Sequence, residues 1–181
     1  MNKTELLEQF LAFGENNGIE ATPGQEPGKA RFGIEHLGVT AHGTVLCEED
    51  PASLQVICRL PVKTLPRHGA KMGQLLNLLN LRTRFGSFQF DPQDGEVIFR
   101  SGFPVHEEIP VQDQIAFGFG MAVANFGQAA RRLTAFASVG GGVKSVLHAI
   151  VNAGDPDTEP RRPRRSSRNR ISGPPHSGGL N

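Results

Sequence analysis

The sequence predicts an α+β fold in which an antiparallel sheet of five strands is packed with helices. Three observations predict it. Apolar residues recur at helical spacing near the start, change to strict alternation between Ala30 and Leu60, and return to steps of three and four beyond Ile115. The 181 residues suffice for one domain with a single buried core and an appendage, and are too few for two comfortable domains. Trp and Tyr are absent and twelve Phe supply every aromatic ring, so the core is expected to consist of Phe, Leu, Ile and Val.

Leu6, Leu7, Phe10 and Leu11 lie at helical spacing, and Asn2 with Glu5 fits a capping box. A first helix is therefore predicted from about Lys3 to Asn16, with Gly18 as its stop. The following GIEATPGQEPGKA reads as a loop with room for a short strand at Ile19 to Thr22, which the count of five leaves out. Three antiparallel strands come next, marked by Phe32 and Ile34, by Val45 and Cys47, and by Leu54, Val56, Cys58 and Leu60. Turns at Leu37 to Thr40 and at Glu49 to Ser53 close this meander.

Pro66 opens a second helix, and Met72, Leu75, Leu76 and Leu79 line one face of it down to about Arg82. Phe88 and Phe90 alternate in a fourth strand, Asp91 to Gly95 supplies turn chemistry, and Val97, Phe99 and Phe103 alternate in a fifth. Ile115, Phe119, Ala122, Phe126, Ala129, Leu133 and Phe136 then space the longest helix. Its Gly118, Gly120 and Gly127 each cost a helix about 0.8–1 kcal/mol relative to Ala, so they are expected to serve close backbone approach. Gly140 to Gly142 interrupt the pattern before Val143, Val146, Leu147 and Ile150 mark a short fourth helix.

From Gly154 onward the chain is rich in Pro, Gly, Ser and Arg and cannot bury enough apolar surface to offset the entropy of ordering. A domain over 1–153 and a disordered tail over 154–181 are expected. The formal charge of +1 hides an asymmetry between them. Residues 161–170 carry Arg161, Arg162, Arg164, Arg165, Arg168 and Arg170 and no acid, and without residues 154–181 the body holds 13 basic against 15 acidic residues, net −2.

The order α-β-β-β-α-β-β-α, together with Asn80, Gly86, Phe88, Asp91 and Gly95 in NLRTRFGSFQFDPQDGEVIFR, resembles the YbjN-like family of bacterial sensory transduction regulators over roughly residues 3–138. The resemblance implies a fold similar to type III secretion chaperones, a curved antiparallel sheet with helices on one side, often assembled as a dimer. Those chaperones bind extended segments of other proteins. The family is linked to stress response and regulation and has no active site to carry over. The Gly-rich third helix, the Gly140 to Gly142 break and the Arg-rich tail depart from its pattern.

Candidate chemistry is sparse. His36, His42, His68, His106, His148 and His176 show no HxH, HxxxH or HExxH spacing, so no metal or other cofactor is expected; His36 and His42 flank a turn and read as a surface pair. Cys47 and Cys58 occupy apolar alternation positions on neighbouring strands and are expected to be buried, reduced and inert. Two cysteines form no secreted disulfide framework, and MNKTELLEQFLAFGENNG lacks a signal-peptide core, so a reducing cytoplasm is the expected setting. Gly140 to Ser145 lacks the GxxxxGK[ST] spacing of a phosphate loop and reads as a hinge. Ile115 to Ala130 carries no charge in sixteen residues, short of the roughly 20 needed to cross a bilayer, and reads as a core helix.

These readings converge on a non-enzymatic interaction module that binds protein segments or associates with itself as a homodimer. If Phe32, Ile34, Val56 and Phe99 face the helices, then Ile57 and Ile98 face outward beside Arg59 and Arg100, a mixed apolar and basic surface. The alternative is a nucleic-acid-associated protein whose tail arginines bind phosphates or another polyanion, with salt-sensitive and largely sequence-independent affinity.

Overall fold

The computed structural model describes residues 1–36 and 39–152. The tail, its six arginines, His176 and the centre of the turn expected at Leu37 to Thr40 lie outside the described residues, as does the side chain of Ile34.

Helix α1 covers Lys3–Asn16. The capping box forms as the sequence implies: the Asn2 side chain accepts from the backbone N–H groups of Thr4 and Glu5, and the Glu5 carboxylate accepts from the Asn2 N–H at 3.0 Å. These contacts satisfy donors that a helix start otherwise leaves unpaired. Gly18, with φ +67°, lets the chain reverse.

Among the described residues six strands follow, not five. They are β1 (Glu20–Pro23), β2 (Lys29–His36), β3 (Val39–Glu48), β4 (Ser53–Arg59), β5 (Ser87–Phe90) and β6 (Val97–Pro104), every neighbour antiparallel, in the order β1-β2-β3-β4-β6-β5. The added strand is β1, an edge segment that pairs Glu20 with Gly33 and Pro23 with Ala30. It is four residues long with one half-buried position, and its Pro sits where an edge tolerates a missing donor.

A single 3₁₀ turn at Pro66–His68 leads into α2 (Gly69–Asn80), which stops two residues before the expected Arg82. Helix α3 runs over Val111–Val139 and α4 over Val143–Val151, joined by Gly140 to Gly142. The long helix α3 crosses β2, β3, β4 and β6, α1 lies on β1 to β3, and α2 lies against β5 and α4. One continuous core joins the helices to one face of the sheet. At its centre the Phe119 ring meets those of Phe10, Phe13 and Phe32 at 5.5, 6.0 and 5.0 Å, tilted and edge-on geometries that aromatic quadrupoles favour. Among the described residues no helix is long and apolar enough to cross a membrane.

Candidate interaction surface

Strand alternation decides which side chains the helices leave uncovered. Phe32, Val56 and Phe99 are buried in the core, as their periodicity implies. The opposite face then carries the alternate residues. One row across it runs Thr22, Arg31, Thr44, Ile57, Arg100 and Ser87, and the next runs Glu20, Gly33, His42, Arg59, Ile98 and Gln89.

The four residues expected to face outward, Ile57, Arg59, Ile98 and Arg100, do share this face and adjoin one another, with Ile57 opposite Arg100 and Arg59 opposite Ile98. Their states differ. Ile57 is only 4% exposed, yet it stands apart from the core cluster. Arg59, two residues along, donates from a terminal guanidinium nitrogen to the Thr44 hydroxyl at 3.3 Å and pairs through Nε with Glu96 at 3.2 Å. Thr44 is the ladder partner of Ile57, so this contact brings the Arg59 head to the strand position next to Ile57, and long cationic side chains held in this way can shield apolar surface while their heads stay wet. Ile98 is half-buried and Arg100 exposed.

Arg31 is not singled out by its local sequence, although alternation with Ala30 and Phe32 turns it outward. It is exposed, and among the described residues neither Arg31 nor Arg100 forms an ion pair. Three strand spacings, about 14 Å, separate the two, with Thr44 and Ile57 between them.

The remaining candidates resolve individually. Cys47 pairs with Leu54 and Cys58 with Gly43, so four residues of strand rise, about 13 Å, hold them apart along the ladder. That exceeds the roughly 7 Å between Cα atoms that a disulfide spans. Both thiols are free and buried, and burial pushes each up to about 12, the nearby Arg59 charge offsetting little at Cys58. They stay protonated near neutral pH and are poor nucleophiles. His36 lies opposite Val39 and His42 opposite Gly33, so the two histidines are not a facing pair. His68 instead meets the Ala137 carbonyl through Nδ1 at 3.2 Å. Among the described residues no group of three or more His, Cys, Asp or Glu is placed to hold a metal ion. In comparisons with known proteins, the sequence matches no family model and no curated protein.

Proposed function

We propose that this chain is a non-enzymatic protein-interaction module, cytoplasmic and regulatory or stress-related, with the type III secretion chaperone-like arrangement that its resemblance to the YbjN-like family implies. Its partner is an extended protein segment, or a second copy, laid across the open sheet face. The observation that carries this reading is the pair of exposed guanidinium groups, Arg31 and Arg100, which form no ion pair among the described residues and stand on either side of Thr44 and Ile57. A segment that presents acidic groups at that spacing, with an aliphatic residue over the half-buried Ile98, complements the face in charge and polarity. Arginine suits this role because its planar fork binds a carboxylate through two parallel hydrogen bonds.

The test compares the native chain with an Arg31→Ala, Arg100→Ala double variant. Solution mass is measured by light scattering, and retention of proteins from native lysate is measured at low and moderate salt. Loss of association in the variant, with an unchanged circular dichroism spectrum, is the expected result. A strict monomer that retains nothing, or retention indifferent to both arginines, contradicts the proposal.

The run of six arginines without an acid at 161–170 supports a second reading, association with nucleic acid through the tail. Comparing the full chain with one ended at Gly154 for binding to nonspecific DNA and RNA at two salt concentrations separates the two.

A further inference from the structure

We propose that the end of α2, the loop after it and the adjoining ridge of α3 form a docking surface for an anionic lipid bilayer. Leu81, Phe85 and Phe117 enter the headgroup region, and the arginines beside them meet lipid phosphates. This surface belongs to the helical side of the molecule and rests on observations other than those of the open sheet face.

The first observation is charge. No Asp or Glu occurs between Asp50 and Asp91, or between Asp113 and Asp155. Helices α2 and α4, the loop from Leu81 to Gly86 and all of α3 beyond its first turn therefore contain no carboxylate. In these two stretches Arg67, Lys71, Arg82, Arg84, Arg131 and Lys144 are exposed, and among the described residues none of the six forms an ion pair. The net charge of −2 on the body thus conceals a cationic region, and such a region sets up its own local field.

The second observation is apolar exposure. Seven large apolar side chains are exposed among the described residues, and six of them, all but Ile109, fall in the same two acid-free stretches. Single exposed apolar residues are ordinary, but a cluster marks a surface that another phase or molecule covers. Leu81 is 83% exposed, Phe117 63% and Phe85 46%. The Phe85 and Phe117 rings meet edge-on at 6.2 Å, which joins the loop to α3. Arg82 and Arg84 alternate with Leu81, Thr83 and Phe85 in the run LRTRF. Arg82 and Thr83 also share a hollow with Gln128 and Val151, so the end of α4 adjoins the cluster. The turn is held in place, because the Arg82 and Thr83 N–H groups and the Thr83 hydroxyl all donate to the Leu79 carbonyl, at 2.9, 3.1 and 3.1 Å.

A bilayer interface accepts this combination. Rings and aliphatic tips enter the acyl boundary while guanidinium heads stay at the level of the phosphates, and each cation near an anionic leaflet raises affinity about fivefold. Nucleic acid fits less well. A base stacks on an open ring face, whereas the two rings stand at 86° to each other and Leu81, the most exposed of the three, has no ring. An acidic protein segment calls for cations along one track, and the six here are spread over the 3₁₀ turn, α2, its following loop, α3 and α4. Beyond Asn152 the sequence continues into the six arginines of residues 161–170, which are tethered to this same region. Stable membrane attachment commonly takes two such signals.

Flotation of the full chain with vesicles tests the surface. Binding to vesicles of equal parts phosphatidylcholine and phosphatidylserine is expected, weakened by salt and absent with phosphatidylcholine alone. Arg82→Gln with Arg84→Gln is expected to weaken it about 25-fold, fivefold for each charge. Leu81→Ser with Phe117→Ser, both at exposed positions, is expected to weaken it more than about tenfold with an unchanged circular dichroism spectrum. Since the chain has no Trp, a Leu81→Trp variant supplies a single reporter, whose emission is expected to shift to the blue on the anionic vesicles. That shift is also expected in a Leu81→Trp chain ended at Asn152. Absence of vesicle binding, equal binding to both vesicle types, affinity indifferent to the two serine substitutions, or unshifted emission would each overturn the proposal; the last two would leave attachment to the tail arginines alone. An emission shift produced by RNA or by polyglutamate and not by vesicles would also overturn it, assigning the surface to nucleic acid or to an acidic protein partner.

Discussion

Asn80 ends α2 and closes the edge of the sheet with the same side chain. Its Nδ2 donates to the Phe88 carbonyl at 2.9 Å, and its Oδ1 accepts from the Phe88 N–H at 2.8 Å. The amide thus stands in for the next strand, occupying both backbone groups that β5 turns away from β6 at this residue. Unpaired edge groups invite another chain to add a strand, so this contact protects the edge as well as fixing the helix to it. The Phe88 and Phe99 rings, 4.8 Å apart on the core side, complete the anchor. Truncation by Asn80→Ala orphans a donor and an acceptor that are partly buried, so stability is expected to fall by about 1–3 kcal/mol. Urea unfolding measures this, and hydrogen exchange at the Phe88 amide is expected to accelerate beyond the global change. Equal exchange rates in both proteins would show that the amide is protected by something other than Asn80.

At the scale of an element, α3 shows why three glycines in one helix are not one feature. Gly118 is buried, and a Cβ there would overlap the Phe103 ring of β6. Gly120, two residues on, is exposed with nothing within 4 Å of an added Cβ, so the close approach expected of it is absent. The two alanine substitutions should therefore have opposite signs. Gly120→Ala gains helix propensity and is expected to stabilise by about 0.8–1 kcal/mol. Gly118→Ala makes the same gain but must displace a ring packed against the core, and is expected to destabilise by about 1–3 kcal/mol net. Chemical unfolding of the two variants side by side checks this; a shared sign would refute the assignment. Composition reveals only that these positions are glycine, because the ring that distinguishes them arrives from a strand that ends seven residues before the helix begins. The same physics divides what was legible elsewhere. Helix α1 could be read to its ends because its cap residues are local, and β2 to β4 because alternation repeats over many residues. Strand β1 shows in the sequence only as room for a short strand at Ile19 to Thr22, outside the count of five, because four residues with a single half-buried position carry no period. Outward positions near Ile57 followed from alternation, but the engagement of Arg59 by Thr44 and Glu96 depends on two other segments. A surface hollow lined by residues 63–66, by the first turns of α2 and by Phe90 with residues 92–95 is assembled from three segments and leaves no local pattern at all.

For the whole molecule, the extent of the core sets where the chain can be shortened. Its buried apolar residues run from Leu6 to Ile150, and α4 contributes the last two, Leu147 and Ile150. Helix α4 packs on α2 and α3 rather than on strands, so it closes the far side of the helical layer. Burying two such side chains contributes about 1.5–3 kcal/mol each, a large share of the roughly 5–15 kcal/mol that separates folded from unfolded domains. A chain ended at Val139 is therefore expected to melt far below the full chain, or without a cooperative transition, because the faces of α2 and α3 on which α4 packs lose that cover. One ended at Asn152 retains every described core residue and is expected to melt within about 2 °C of the full chain, since in a domain of this size 1 kcal/mol moves the midpoint by about 2–4 °C. With no Trp or Tyr to report unfolding by fluorescence, circular dichroism and calorimetry are the suitable probes. A loss exceeding about 4 °C on removing residues 153–181 would mean that the Arg-rich segment contributes to the folded body. The six arginines would then have to be placed on the near-neutral body that carries them rather than on an outside partner.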